Sequence, residues 1–185
     1  MKCRHCHTEL ELKFLDLGNA PPSNAYLKEQ DLRKPEITYP LRILTCMNCW
    51  LVQTEDYTEA DELFNEDYAY FSSTSKGWLK HASDYCRMIT KRLDLSQDSF
   101  VIEIASNDGY LLKNFVASNI PCLGIEPTKS TAEAAAVLGV PVRQEFFGKD
   151  VGVKMANAGE QADLVLGNNV YAHVPDINDF TKGVA

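Results

Sequence analysis

The sequence predicts an α/β protein: a small, metal-stapled, zinc-ribbon-like β module followed by part of a doubly wound, parallel-sheet domain. Three observations carry that prediction. Two C-x-x-C pairs stand in the first fifty residues, Cys3 with Cys6 and Cys46 with Cys49. From Phe100 onward, apolar strand-like runs alternate with helix-like runs, the pattern of a parallel sheet wrapped by helices. The first of these runs, "VIEIASNDGYLL" at 101–112, reads as a buried strand feeding a glycine turn and a helix, the geometry that cradles a nucleotide.

Composition narrows the class. A chain of 185 residues with 45% hydrophobic and 24% charged content fits a soluble globular protein holding one domain, or a small domain with part of a larger one. No run approaches the apolar length needed to cross a bilayer, and "MKCRHCHTEL" lacks a signal-peptide core, so the expectation is a cytoplasmic protein without a membrane partner. The net charge of −8, with no block of Lys or Arg, argues against nucleic acid as a partner. Six cysteines without a secretion signal point to reduced thiols serving metal binding or isolated burial.

Two residues between cysteines let a tight turn present both thiolates to one ion, and two such turns complete a tetrahedral four-sulfur site. Cys3, Cys6, Cys46 and Cys49 are therefore expected to bind zinc. A lone pair would equally suit redox chemistry, but neither pair opens the helix such a unit needs. Four thiolates leave no open position on the ion, so its role is structural, replacing a core that so short a module cannot build. His5 and His7 read as exposed neighbours, and Cys86 and Cys122 as buried small hydrophobes. "LRILTC" and "LVQTEDY" lead into and out of the second knuckle as strands, giving a zinc-binding module over 1–57.

Residues 58–94 are expected to form a connector and an amphipathic helix. The acidic, hydroxyl-rich stretch at 58–74 reads as the connector. From Ser75, Trp78, Ala82, Tyr85, Ile89 and Arg92 or Leu93 fall on one helical face, with Thr74 or Ser75 as the cap. From 95 to 185 the order is strand "FVIEIA", helix "GYLLKNFVASN", strand "CLGIE", helix "TKSTAEAAAVLG", strand "VPVRQEFF", helix "GKDVGVKMANAG" and strand "ADLVLGNN". Right-handed crossovers put ligand at the carboxyl ends of such strands, in the loops "ASNDG", "EPT", "QEFFG" and "NNVYAHVPD".

Glu126 lies 23 residues beyond Glu103, which suits a carboxylate accepting hydrogen bonds from ribose hydroxyls. The first loop discriminates between ligands. A pyrophosphate wants bare backbone N–H groups and no adjacent negative charge, yet only Gly109 remains of the usual glycines, and Asp108 would repel phosphate. S-adenosylmethionine has no phosphate and brings a sulfonium and an ammonium, which Glu103, Asn107 and Asp108 suit electrostatically. Ordinary turn chemistry, with Asp108 capping the following helix, accounts for the same four residues.

Taken together, the paired knuckles, "YFSSTS", "EIASNDGYLL", "LGIEP", "FFG" and "NNVYAHVPDINDF" resemble the nucleotide-sugar C-methyltransferase family, across nearly the whole chain. The resemblance implies a Rossmann-like, S-adenosylmethionine-dependent domain and methylation at C3 of a deoxy-4-ketosugar carried on a nucleoside diphosphate. It assigns Cys3, Cys6, Cys46 and Cys49 to zinc. It assigns the methionine and sulfonium end of the donor to Glu103, Ala105, Ser106, Asn107, Asp108, Gly109, Tyr110 and Leu111. Glu126 and Pro127 fall to the ribose, Phe146 and Phe147 to the adenine surroundings, and Asn168 and Asn169 to the floor beneath the methyl group. Tyr70 and His173 line the substrate pocket, with His173 the candidate base for the C3 proton inside this chain and His81 left to surface or packing. Family members carry a further C-terminal domain, so the chain is expected to be a fragment with the first half of the donor-binding domain. Two other classes stay open: a non-catalytic interaction module on the same scaffold, and an NAD-dependent nucleotide-sugar oxidoreductase.

Overall fold

The computed structural model describes residues 1–57 and 70–185; the part of the expected connector at 58–69 lies outside the described residues. Contacts divide the chain into two compact units, Met1–Ala69 with Pro175–Asn178, and Tyr70–Val174 with Asp179–Ala185.

The first unit is a three-stranded antiparallel sheet of β1 (Leu12–Ala20), β2 (Tyr39–Thr45) and β3 (Val52–Thr54), in the order β1-β2-β3. The turn holding the second cysteine pair joins β2 to β3, whose register runs from Ile43 opposite Thr54 to Thr45 opposite Val52. β1 pairs with β2 through two register shifts, which twist a strand exposed over nearly its whole length. Among the described residues of 1–57, only Cys3, Leu44, Cys46 and Gln53 are buried. Two of those four are cysteines. Burial on that scale cannot offset the entropy of ordering the chain, so the fold here depends on what the cysteines bind.

The second unit is built on a four-stranded parallel sheet of β4 (Val101–Ile104), β5 (Cys122–Ile125), β6 (Val142–Arg143) and β7 (Leu164–Leu166), in the order β6-β5-β4-β7. Around it pack α1 (Lys76–Leu93), α2 (Lys113–Ala117), α3 (Lys129–Val137), α4 (Lys149–Asn157) and α5 (Ile177–Val184). Val101 faces a core with Ala82 and Cys86 of α1, Phe115 of α2 and Ala135 of α3, whereas Ile102 and Ile104 face Met155 of α4 and Phe180 of α5. The alternation along β4 thus gives helices to both faces, which is the doubly wound arrangement.

Several elements differ in extent from the sequence reading. The helix expected over "GYLLKNFVASN" shrinks to five residues, because Tyr110, Leu111 and Leu112 spend their apolar side chains plugging the core from a turn. β6 is only two residues long. α1 begins with Ser75 accepting from the Trp78 N–H at 3.2 Å and ends on Asp94 in the left-handed conformation. Its inward face carries Leu79, Ala82, Tyr85, Cys86 and Ile89, while Leu93 stays exposed where the helix runs out. The helix therefore contributes to the core of the second unit. No described helix is long and apolar enough to cross a membrane.

Candidate functional site

The two cysteine knuckles are built alike. Cys3 O accepts from the His7 N–H at 3.0 Å and Cys46 O from the Trp50 N–H at 2.9 Å, while Cys3 and Cys46 donate their own N–H groups to Thr8 O and Leu51 O. His7 (φ 61°) and Trp50 (φ 65°) take the left-handed conformation that closes each turn. The four sulfurs converge within 4.8 Å of one another, with Cys3–Cys49 and Cys6–Cys46 both at 3.5 Å. A tetrahedral ion with Zn–S bonds of ~2.3 Å sets its sulfurs about 3.8 Å apart, so this donor set suits zinc in ligand type, number and approximate spacing. Among the described residues it is the one such cluster, and the exposed His5 and His7 are not part of it. The buried Gln53 carboxamide donates to Cys3 Sγ at 3.3 Å, the kind of outer support that orients a thiolate ligand.

The second cluster gathers where the topology predicts it. β5 and β6 lie on one side of β4 and β7 on the other, so the connections leaving β4 and β7 diverge at their carboxyl ends. Glu103 on β4 is fully buried. Its Oε1 accepts from Asn168 Nδ2 at 3.2 Å, and its Oε2 has no partner among the described residues. Burial pushes its pKa up to about 8; the Asn168 bond pulls it down, and the nearby Glu126 and Asp108 push it up again. The same burial, with Glu103 adding to it, pushes the Cys86 thiol up to about 12 and Cys122 to about 11, so both are inert, protonated packing groups.

Beyond Glu103 the chain makes a loop with three left-handed residues in five: Ala105 (φ 55°), Asn107 (φ 51°) and Gly109 (φ 73°). These are the alternating positions that glycine fills in nucleotide-binding loops, and here alanine and asparagine fill two of them. Gly109 is held to glycine by space as well, because a Cβ there would stand 3.0 Å from Ala135 Cβ and 3.2 Å from Val140 Cγ2. Ser106 is fully buried beneath the loop, over Gly124 of β5, and its hydroxyl has no partner among the described residues.

Asn107 and Asp108 are engaged by a segment the sequence reading treated as connector. Asn107 Oδ1 accepts from the Ser72 N–H at 2.9 Å and its Nδ2 donates to Tyr70 O at 3.0 Å, while Asp108 Oδ2 accepts from the Ser73 N–H at 3.0 Å. Asp108 is buried and its Oδ1 has no partner among the described residues. Glu126, after β5, accepts from the Asn107 N–H and the Thr128 N–H, both at 2.9 Å. Each of its oxygens retains a lone pair, so it can still accept from hydroxyl groups of a ligand. Pro127 follows, half-buried.

The remaining residues are placed as follows. Tyr110 and Leu111 are buried, and the Tyr110 ring stacks on Trp78 with centroids 5.9 Å apart. Asn168 lines a cavity of about 30 Å³ together with Trp78, His81, Tyr85 and Tyr110. Asn169 is exposed at φ 52°. Phe147 is taken up in packing, edge-on to Phe180 at 5.4 Å, while Phe146 is exposed. His173 ends a short 3-10 turn, exposed, its N–H donating to Val170 O, and Tyr70 is about half exposed. Sequence reasoning missed the backbone donors Ser72 and Ser73 and the Thr128 amide. Main-chain groups carry no residue-type signal by which they could be found.

Among the described residues Glu103 Oε2 and Ser106 Oγ have no hydrogen-bond partner, and with Glu126 close to Glu103 they form a buried acidic surface at the switch point. Such a surface suits a cationic, hydroxyl-bearing ligand and opposes a phosphate. S-adenosylmethionine matches that donor chemistry.

Comparison with known proteins supports zinc at the cysteine cluster. Residues 3–64 match the family described as "Putative zinc binding domain". The whole chain is 29% identical over 184 residues to the C-methyltransferase NovU of Streptomyces niveus, and it spans 44% of that protein's length. Among solved structures, the YcgJ protein of Bacillus subtilis aligns with a TM-score of 0.43 at 17% identity, over 57% of this chain and 44% of that one. The MccD protein aligns with a TM-score of 0.26 at 13% identity, over 53% and 33%.

Proposed function

We propose that this chain belongs to an S-adenosylmethionine-dependent C-methyltransferase that acts on C3 of a deoxy-4-ketosugar carried on a nucleoside diphosphate. Residues 1–57 are its zinc-binding module, 58–94 the connector and the amphipathic helix that packs on the sheet, and 95–185 the donor-binding part. Identity to a C-methyltransferase along the whole chain supports the reaction class. The observation that carries donor binding is Glu103: a fully buried strand-end carboxyl with one free oxygen and acidic groups around it.

In this reading Glu103 receives the ammonium end of the donor, Glu126 accepts from its ribose hydroxyls, and the backbone of the loop 105–111 lies along its methionine portion. Asn168 and Asn169 form the floor, Phe146 and Phe147 the adenine side, and Pro127 shapes the ribose loop. When bound, the donor supplies an electrophilic methyl group. The C4 ketone of the sugar acidifies the proton on C3; His173 Nε2 or Nδ1 accepts that proton, and the Tyr70 hydroxyl donates to the C4 oxygen as charge develops there. Zinc takes no part in these steps, because four thiolates close its coordination.

Calorimetric titration separates this reading from its rivals. S-adenosylhomocysteine should bind with one site per chain while NAD gives no heat, and Glu126→Ala should weaken the first by about tenfold or more. Binding of NAD with indifference to S-adenosylhomocysteine would identify an oxidoreductase instead.

A further inference from the structure

The geometry points to Asn107 and Asp108 as positioning residues that tie the Tyr70–Ser73 segment to the donor loop, rather than as contacts to the donor itself. The inference rests on the functional reading above only for what Tyr70 and the loop do. Three hydrogen bonds make the tie. Asn107 spends both halves of its carboxamide on it, accepting from Ser72 N–H at 2.9 Å and donating to Tyr70 O at 3.0 Å. Asp108 adds the bond from Ser73 N–H at 3.0 Å.

Both ends of the segment are held. Ser75, two residues on, caps α1, and Trp78 in the first turn of that helix stacks on Tyr110 of the same loop. On the far side the Asn107 N–H donates to Glu126 Oε2. A continuous run of bonds thus joins the ribose-binding carboxylate, through Asn107, to the backbone of Tyr70. The left-handed conformation at Asn107 serves this arrangement. It turns the amide toward Glu126 while the side chain faces the segment, and asparagine is the non-glycine residue that both tolerates that conformation and offers a donor and an acceptor together.

Two consequences distinguish this role from direct donor binding. The charge of Asp108 is dispensable provided an acceptor stays in place, so Asp108→Asn should keep the tie and Asp108→Ala should lose it. Donor occupancy at Glu126 should also be felt at residues 70–73, because the two are coupled through Asn107.

The test is amide hydrogen exchange at Ser72 and Ser73, with and without S-adenosylhomocysteine, on the full chain and its variants. Asp108→Ala should speed exchange at Ser73 by about tenfold, the equivalent of one lost hydrogen bond, and Asp108→Asn should restore protection. Ligand should slow exchange at both residues in the wild type and Asp108→Asn, and at Ser72 alone in Asp108→Ala, which leaves the Asn107 bonds in place. Asp108→Asn should bind S-adenosylhomocysteine within about threefold of the wild type. A loss of about tenfold or more in Asp108→Asn would overturn the inference, since the carboxylate would then contact the ligand's charge. Unchanged exchange in Asp108→Ala would overturn it as well. If that variant does not fold, exchange at Ser72 in Asn107→Gly, which removes both halves of the carboxamide and tolerates the left-handed conformation, decides in its place: faster exchange supports the tie and unchanged exchange refutes it. A wild type that binds no S-adenosylhomocysteine would sink the functional reading, while the ligand-free exchange arm would still decide the tie.

Discussion

Ala105 carries a conformation that costs an L-residue about 1–2 kcal/mol, since its φ of 55° brings Cβ against its own carbonyl. Ala105→Gly should raise stability by about 1 kcal/mol in urea denaturation, less than the full strain because glycine gives back entropy. Gly109→Ala should lower it by about 2–3 kcal/mol, adding the same strain to a 3.0 Å contact with Ala135. Glu103 sets a pH dependence. Its folded pKa of about 8 lies above the ordinary 4.5, so the folded chain binds a proton there more tightly than the unfolded one. Its contribution is therefore complete below about 4.5 and is lost as pH rises through about 8. Denaturation curves should show stability falling across that window, and Glu103→Gln should flatten the fall; an unchanged profile in the variant would show that Glu103 is not its source. The acid at the end of the first buried strand was legible in the sequence, because a carboxyl in an apolar run is conspicuous. Ala105 in a glycine conformation was not, since no residue-type preference marks a strain imposed by tertiary structure.

At the scale of elements, α1 depends on its first turn. Ser75→Ala removes the acceptor for the Trp78 N–H and should cost about 1 kcal/mol, visible as a lower thermal midpoint. The helix and its cap were legible because an amphipathic period over eighteen residues is a strong signal. The strands of the parallel sheet were legible as apolar runs, though β6 came out at two residues because pairing, rather than propensity, decides where a ladder ends. α2 was overestimated for a related reason. Tyr110, Leu111 and Leu112 look helical in a row, yet they serve as a buried turn, and Phe115 is the one buried position of the short helix that follows. Within the expected connector only Tyr70 of residues 70–73 received a role of its own, because Ser72 and Ser73 contribute through backbone amides.

For the molecule as a whole, the two units draw stability from different sources. The sheet domain has two apolar clusters, one on each face of β4. The first unit has almost no core, so the zinc site must supply what burial does not. Metal analysis should find one zinc in that site per chain. Chelation, or Cys46→Ser, should release it and abolish amide protection across β1–β3; protection that survives metal loss would refute a structural role. The doubly wound order followed from the strand–helix alternation, since few topologies satisfy it. The most direct test of the central claim is a crystal structure with S-adenosylhomocysteine. The expected result is its ammonium within hydrogen-bonding distance of Glu103 and its ribose hydroxyls on Glu126. A ligand diphosphate seated against Asp108 would contradict it.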